Sequence, residues 1–166
     1  MPVVINPFKC RFCTTVILAC DCIFAIINQD NMETIQLNKD IRVLCAEADS
    51  FPDGVMEAWQ KLHELYPPVA GRHYYGLSRG NKNGGIDYMA AVEESFPGEA
   101  PKPGCKAFII PNGEYISETI KDWKKNMTMI GTTFQKLLKD PRMDLNGFCL
   151  EEYFNDNDVR CMVKMK

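Results

Sequence analysis

The chain contains an internal repeat with a spacing of 75 residues. The segment Ala58-Trp59-Gln60-Lys61-Leu62 recurs as Thr133-Phe134-Gln135-Lys136-Leu137. At the same offset, the strand-like segment 72–76 falls on 147–151. Similar helices followed by similar strands at one spacing indicate a duplicated unit, and a single duplication does not suit a long solenoid array.

Each half of the chain is predicted to run strand, helix, strand, strand. Apolar residues at helical spacing predict one helix up to about residue 66 and another over about 127–138. Ser50 or Asp53 is the candidate N-cap of the first helix. The predicted strands are 41–48, 73–78, 86–94, 106–111, 114–121, 147–154 and 159–165.

Glycine, proline and asparagine mark the connections between these elements. Residues 79–85 predict a hairpin loop, and Asn112-Gly113 predicts a tight turn between two strands. The Pro- and Gly-rich segment 95–104 is the natural link between the halves. Antiparallel strands with helices on one face predict an α+β domain.

Composition narrows the class of protein. The 166 residues carry a net charge of −3 and are 46% hydrophobic, which is typical of a globular domain without a basic nucleic-acid-binding face. The sequence has no dinucleotide or phosphate-loop fingerprint, and neither His63 nor His73 has a neighbour at a catalytic spacing. We therefore expect a cytoplasmic protein with no cofactor, no direct nucleic-acid binding and no membrane association.

The first 31 residues differ from the rest and are expected to form an N-terminal extension to a domain over 32–166. Residues 12–28 are almost wholly apolar but contain Asp21, which disfavours a membrane span. A signal or lipoprotein segment is the alternative, although the targeting pattern is incomplete. Four cysteines could form a zinc site but lack knuckle turn residues, so no metal is predicted: Cys10, Cys13, Cys20 and Cys22.

Two adjacent glutamates interrupt the apolar strand 147–154. Successive strand side chains point to opposite faces, so only one of Glu151 and Glu152 can face a given side. If the face that carries Glu152 packs on a helix, Glu151 lies on the open face beside Tyr153 and Cys149. A carboxylate among aromatic rings suits an apolar cation, whereas two solvated glutamates are the simpler alternative.

The later part of the sequence resembles a known family. The segments Ile86-Asp87-Tyr88-Met89-Ala90-Ala91-Val92, Ile110-Pro111-Asn112-Gly113-Glu114-Tyr115 and Leu150-Glu151-Glu152-Tyr153-Phe154-Asn155-Asp156 flank the second helix in the order typical of the GyrI-like family. This family includes the AraC-type effector-binding, or multidrug-binding, domains. The resemblance covers about residues 32–166 and is closest to stand-alone members.

The resemblance implies a fold and a ligand class. The fold would be two βαββ repeats related by a pseudo-twofold, with antiparallel sheets, two main helices and a central groove for hydrophobic cations. The family's pocket carboxylate falls on Glu151 and its aromatic wall on Tyr88, although Glu152 stands where an apolar residue is usual, so which glutamate faces inward stays open. The full set of predicted ligand-binding residues is Glu151, Tyr88, Trp123, Tyr74, Tyr153, Phe51 and Cys149.

Three functions follow as hypotheses. The first is a binding protein for hydrophobic, cationic small molecules, used in drug or toxin sensing or sequestration, with Glu151 as counter-ion. The second is a hydrolase of electrophilic toxins, in which Glu151 acts as general acid or base. The third is a protein-interaction module directed at DNA gyrase or a separate regulator.

Trp59 and Phe134 lie on helical stripes and are predicted to be core residues.

Overall fold

The computed structural model describes residues 31–166, which form eight strands and two α-helices. The predictions of an N-terminal extension and of metal-free cysteines in it lie outside the described residues. The elements are β1 (Glu33–Leu37), β2 (Ile41–Glu47), α1 (Val55–Leu65), β3 (Tyr74–Gly80), β4 (Ile86–Glu93), β5 (Lys106–Ile110), β6 (Gly113–Ile120), α2 (Thr128–Leu137), β7 (Cys149–Tyr153) and β8 (Val159–Lys164). A short 3₁₀ helix, Trp123–Lys125, precedes α2.

All eight strands belong to one antiparallel sheet in the order β1-β6-β8-β7-β3-β4-β2-β5. If each strand of the first half is exchanged with the strand four places later in the chain, the same order is read from the opposite end of the sheet. The α+β class predicted from the sequence is therefore confirmed, the strand order has the symmetry of a duplicated unit, and β1 is the one strand that was not predicted. β3 and β7, which pair at the centre, join the two halves.

The connections force the sheet to curl. β1 and β2 lie at opposite ends of the strand order, yet three residues join them, and two residues join β5 to β6. Six strand spacings in a flat sheet would separate them by roughly 29 Å, which so short a connection cannot span. The sheet therefore bends into a half-barrel that brings its two ends together.

Curling gives the sheet two different faces. One face packs on itself and draws core residues from all eight strands, including Tyr75, Leu77, Tyr115, Leu150 and Met162. The other face carries both helices. This assignment corrects the expectation for 147–154, because the helices lie on the Glu151 side and not on the Glu152 side.

Each helix covers its own half of the helix-bearing face. Ala58 and Leu62 of α1 are buried against strands of the first half. Phe134 and Leu137 of α2 are buried against strands of the second half. The prediction that both helices present an apolar stripe to the sheet is thus correct, and the space between the two helices lies over β3 and β7.

Two local predictions were wrong. The first helix is capped by Gly54, without a side-chain cap bond, because the turn over residues 50–54 is closed by the backbone: Gly54 N donates to Ser50 O at 3.2 Å. Asn112-Gly113 does not close a hairpin, because β5 pairs with β2 and β6 pairs with β1. There the backbone N–H and the side-chain amide of Asn112 both donate to Asp40 Oδ1, at 2.8 and 2.7 Å.

The other connections agree with the sequence. Residues 81–85 join β3 to β4 as a hairpin loop, in which Asn81 Oδ1 accepts bonds from the backbone of Asn83 and Gly85. The linker 95–104 is held by an ion pair from Arg72 to Glu99 at 2.9 Å and by Arg42, which donates to the backbone oxygen of Glu99 at 2.8 Å. Within the described part of the chain, no helix has the length and apolarity needed to cross a membrane.

Candidate functional site

Glu151 lies at the centre of the helix-bearing face of the sheet. β7 places it between Gly76 of β3 and Cys161 of β8. Glu151 is only 8% exposed. A Cβ atom at position 76 would lie 2.5 Å from Oε2 of Glu151, far closer than any real contact. The missing side chain of Gly76 thus provides the space that the carboxylate occupies.

Two tyrosine hydroxyls donate to the Glu151 carboxylate. Tyr88 of β4 donates to Oε2 at 3.1 Å, and Tyr153 donates to the same oxygen at 2.6 Å. The indole N–H of Trp59 in turn donates to the Tyr88 hydroxyl at 3.1 Å. No hydrogen bond from residues 31–166 reaches the other carboxylate oxygen, Oε1, which keeps its capacity to accept.

Burial raises the pKa of Glu151 above its ordinary value, because the charged form loses its hydration. The bonds from Tyr153 and Tyr88 oppose that rise only in part. Burial, followed by the nearby Glu151 charge, also raises the pKa of Tyr88 and Tyr153, so both hydroxyls stay protonated as donors. Among the ion pairs of the described residues, none involves Glu151.

Aromatic rings surround the carboxylate. The Trp59 and Tyr153 rings meet edge to face with centroids 5.3 Å apart, and the Trp123 ring lies edge to face with Tyr153 at 5.2 Å. We refer to Glu151, Tyr88, Tyr153, Trp59 and Trp123 as the Glu151 cluster. Edge-to-face packing leaves ring faces available, and ring faces attract cations.

The structure brings most of the predicted site residues to this cluster. Tyr88 and Tyr153 contact Glu151 directly, and Trp123 contacts Tyr153. Phe51 packs on Tyr88 with ring centroids 5.9 Å apart. These placements are geometric, and the binding roles themselves are taken up as proposals below.

Tyr74 and Cys149 are not hydrogen-bonded to the Glu151 carboxylate. The Tyr74 ring packs against Trp59 at 6.4 Å, but its hydroxyl faces away and donates to Tyr66 O at 3.4 Å. Cys149 is half-buried on the same face as Glu151, and burial raises the pKa of its thiol to about 11. Cys149 is therefore a protonated wall residue at neutral pH. The four cysteines of the described chain are free thiols: Cys45, Cys105, Cys149 and Cys161.

Trp59 is the site residue that sequence reasoning missed. Its helical spacing predicted a core residue, and it does contact the core around Ala58 and Leu62. Its indole N–H, however, reaches the Tyr88 hydroxyl beside Glu151. The repeat held a signal, because the matching position in the second half is Phe134, which has no donor.

Glu152 takes a different environment on the opposite face. Its Oε2 accepts from Arg160 at 2.9 Å, and its Oε1 lies 3.2 Å from His73 Nδ1. Its side chain is 12% exposed. Of the two adjacent glutamates, Glu152 thus has a cationic partner within the protein, whereas Glu151 has hydroxyl partners.

The described domain contains a smaller and a larger cavity. The smaller, about 230 Å³, includes Phe108, Tyr115 and Phe148 in its wall. The larger, about 490 Å³, lies where β2 ends and β4 begins, and Tyr88 contributes to its wall. Glu151 lines neither of these two cavities.

Comparison with known proteins shows a shared fold at very low sequence identity. No protein-family model and no curated protein matches the sequence. An integron cassette protein from the mobile metagenome of Vibrio cholerae superposes with a TM-score of 0.65 at 12% identity, covering 82% of this chain and 97% of that protein. The fold of the described domain is therefore found in solved structures.

Two further solved structures share this fold; one contains a bound cation and the other is described as a hydrolase. The structure of SAV2435 bound to tetraphenylphosphonium has a TM-score of 0.52 at 12% identity, over 80% of this chain and 93% of that one. A hydrolase from Listeria innocua has a TM-score of 0.51 at 11% identity, over 82% and 92%. At such identities the likeness concerns the fold alone.

Proposed function

We propose that this domain binds hydrophobic cationic small molecules, with Glu151 as the counter-ion, and that it is a member of the GyrI-like family. The observation that carries the proposal is the buried carboxylate of Glu151, a residue only 8% exposed, which is hydrogen-bonded to tyrosines and paired with no base among the described residues. Such a group destabilises the free protein when it is ionised, because hydroxyl donors replace its hydration only partly. A cationic ligand supplies the missing charge.

The surroundings of Glu151 favour an apolar cation over a hydrated metal ion. Trp59, Trp123 and the two tyrosines present rings around a single carboxylate. Each ring that faces a cation contributes about 0.5–2 kcal/mol, the higher values applying where water is excluded. A hard metal ion would instead require several oxygen ligands, and no cluster of three His, Cys, Asp or Glu side chains suited to a metal occurs within residues 31–166.

A structure with this fold was solved with such a ligand. SAV2435 was bound to tetraphenylphosphonium, a cation whose charge is enclosed by four phenyl rings. The likeness does not transfer the ligand to this chain. It does make tetraphenylphosphonium the appropriate first probe, because the probe matches the carboxylate and aromatic chemistry described above.

The test is isothermal titration of the full-length protein with tetraphenylphosphonium. We expect binding in the wild type and a loss of at least about 100-fold in affinity, or roughly 3 kcal/mol, in Glu151→Gln, because the variant removes the buried charge that would pair with the cation. Glu152→Gln is the matched control and should bind within about threefold of the wild type. Equal affinity in wild type and Glu151→Gln would refute the counter-ion role.

One contact favours a hydrolase as the second candidate. Tyr153 donates to Glu151 at 2.6 Å, and the raised pKa of the carboxyl suits a general base. Glu151 would accept a proton from water as the water oxygen attacks an electrophilic carbon. Tyr153 would then protonate the departing heteroatom, and the proton held by Glu151 would return to Tyr153.

Turnover separates this candidate from binding. A neutral aryl epoxide should be converted to a diol by the wild type, and both Glu151→Gln and Tyr153→Phe should lose that activity. Tyr74→Phe is the control, because the Tyr74 hydroxyl faces away from the carboxylate. If tetraphenylphosphonium binds and no epoxide is hydrolysed, the hydrolase candidate is excluded and binding is the function that remains.

A further inference from the structure

The larger cavity shares a wall with the Glu151 cluster. Tyr88 lines this cavity of about 490 Å³ and also donates its hydroxyl to Glu151. Phe51 lines the cavity too, and its ring packs on Tyr88 at 5.9 Å. One tyrosine side chain therefore separates an open volume from the buried carboxylate.

The cavity wall is largely polar but includes several apolar side chains. Phe51 and Ile86 are each 43% exposed, and Phe108 and Phe148 also line the cavity. Arg79, which also lines the cavity, has its guanidinium over the Phe148 ring, 4.7 Å from the ring centre.

The charges along the cavity sum to a small negative value. Three carboxylates, Glu47, Asp49 and Asp87, stand against Lys106 and Arg79. Lys106 pairs with Glu47, and Arg79 lies 3.8 Å from Asp87. A cationic molecule that enters this cavity therefore meets no net repulsion on its way to Glu151.

The Glu151 cluster itself is tightly filled. Glu151 is 8% exposed and Tyr88 4% exposed. The Tyr88 hydroxyl and the Glu151 carboxylate both lie within 2.5 Å of where a Cβ on Gly76 would be. A ligand larger than its charged group therefore needs volume beyond the cluster, and the cavity across Tyr88 supplies an amount that suits a drug-sized molecule.

We propose that this cavity holds the apolar body of an elongated amphiphilic cation whose charged head is bound at Glu151. This inference rests on the proposed function and narrows its ligand class. Binding requires the Tyr88 ring to move, so that its hydroxyl leaves the carboxylate and the cavity joins the Glu151 cluster. The ligand is then a head group with an alkyl or aryl extension, in contrast to a compact ion.

The test uses alkyltrimethylammonium ions of increasing chain length, titrated into the full-length protein below their micelle concentrations. Affinity should rise by about fourfold for each added methylene until the cavity is filled, since each buried CH₂ contributes an approximately constant free energy. Phe51→Ala and Ile86→Ser should flatten this dependence on chain length. The affinity of Ile86→Ser for the tetramethylammonium head should stay within about threefold of the wild type, because Ile86 lines the cavity and is not part of the Glu151 cluster.

Matched controls exist for both variants. Phe96 also precedes a proline and is 60% exposed, and Ile109 is 45% exposed but lines the smaller cavity. Phe96→Ala and Ile109→Ser should keep the chain-length dependence of the wild type. Methyl NMR provides a readout without mutation. Octyltrimethylammonium should shift the Ile86 methyl resonances, whereas tetramethylammonium should leave them unchanged.

The outcomes separate this inference from the proposed function. If tetraphenylphosphonium binding depends on Glu151 but chain length brings no gain in affinity, the cavity assignment is wrong and the counter-ion role stands. If Ile109→Ser, and not Ile86→Ser, flattens the dependence on chain length, the apolar part of the ligand lies in the smaller cavity and the inference is wrong. If no cation of either kind binds, both proposals fail.

Discussion

The two halves of the domain share an architecture but differ at its centre. The repeat places Gly76 in the first half where the second half has Glu151, and the sheet pairs these two residues with each other. The pseudo-twofold axis therefore passes through this pair. Its neighbours also differ, since Ser78 occupies the position that corresponds to Tyr153.

The difference teaches that a duplicated scaffold can still require an asymmetric site. Two residues that face each other across the axis share one volume, so both cannot carry a long side chain. Here the first half contributes no side chain at the axis, and the second half contributes the carboxylate. The hydroxyl donors come from both halves, Tyr88 from the first and Tyr153 from the second.

Restoring a side chain at the axis should produce the largest effect. In Gly76→Ala the new Cβ would lie 2.4 Å from the Tyr88 hydroxyl and 2.5 Å from Glu151 Oε2, so both groups must move. We expect the free energy of unfolding in urea to fall by about 3 kcal/mol and the Tyr88–Glu151 bond to break. Gly80→Ala on the same strand is the control, because a Cβ there meets nothing within 4 Å. Equal stability of the two variants would contradict the shared-volume argument.

The two adjacent glutamates should respond in opposite ways to neutralisation. Glu152→Gln removes the partner of Arg160 and should destabilise the fold by about 2 kcal/mol. This value is below the roughly 3–5 kcal/mol of a fully buried pair, because Arg160 is 30% exposed. Glu151→Gln should leave the free protein as stable as the wild type or more so, since it removes a buried charge with no basic partner. Chemical denaturation at neutral pH measures both, and a larger loss in Glu151→Gln would reverse this assignment.

Much of the fold could be predicted from the sequence because its signals are local. Helical stripes, strand alternation and the repeat located all the paired strands from β2 to β8 and both helices. The exchange of edge strands between halves was not predictable, since Asn112-Gly113 has the local chemistry of a hairpin turn. Whether its flanking strands pair with each other or with distant strands is a tertiary property of the curled sheet.

The site was predictable in part for the same reason. Strand alternation separated Glu151 from Glu152, and the repeat placed Gly76 opposite Glu151, which the pairing register confirms. Alternation cannot tell which face receives the helices, so the helix-bearing side was assigned wrongly. The hydrogen bond from Trp59 to Tyr88 joins residues 29 apart in the chain, and no periodicity reports such a contact.

The pH dependence of ligand affinity distinguishes the carboxylate at the axis from an ordinary glutamate. Burial raises the pKa of Glu151 above its usual 4.5, and only the ionised form attracts a cation. The affinity for tetraphenylphosphonium, whose charge does not titrate, should rise about tenfold per pH unit until it passes this raised pKa, and then level off.

Stability should change in the opposite direction with pH. The folded state holds the Glu151 proton more tightly than the unfolded state, so this residue's contribution is complete below the unfolded pKa and is lost as pH rises through the folded pKa. Tetraphenylphosphonium titrations and urea unfolding of the wild type and Glu151→Gln, each at pH values from 4 to 8, measure the two trends. An affinity that is already constant above pH 4.5 would show that the carboxylate is solvated.

A smaller effect is expected from making the first half resemble the second at the helix. Trp59→Phe gives α1 the residue that α2 has at the matching position, Phe134, and removes the donor to the Tyr88 hydroxyl. In the free protein that bond polarises Tyr88 toward Glu151, whereas in the complex the indole is the larger cation-attracting ring. Affinity for tetraphenylphosphonium should therefore fall about fivefold, or roughly 1 kcal/mol.

Trp123→Phe separates the hydrogen bond from the loss of ring area. Both indoles contact Tyr153 at similar distances, but the buried Nε1 of Trp123 has no hydrogen-bond partner among residues 31–166. Trp123→Phe should weaken binding by less than Trp59→Phe does, and it should leave the pH midpoint of binding unchanged. Trp59→Phe should move that midpoint upward. If both variants shift the midpoint equally, the Trp59–Tyr88 bond does not act on Glu151, and the asymmetry of the site is confined to the axis pair.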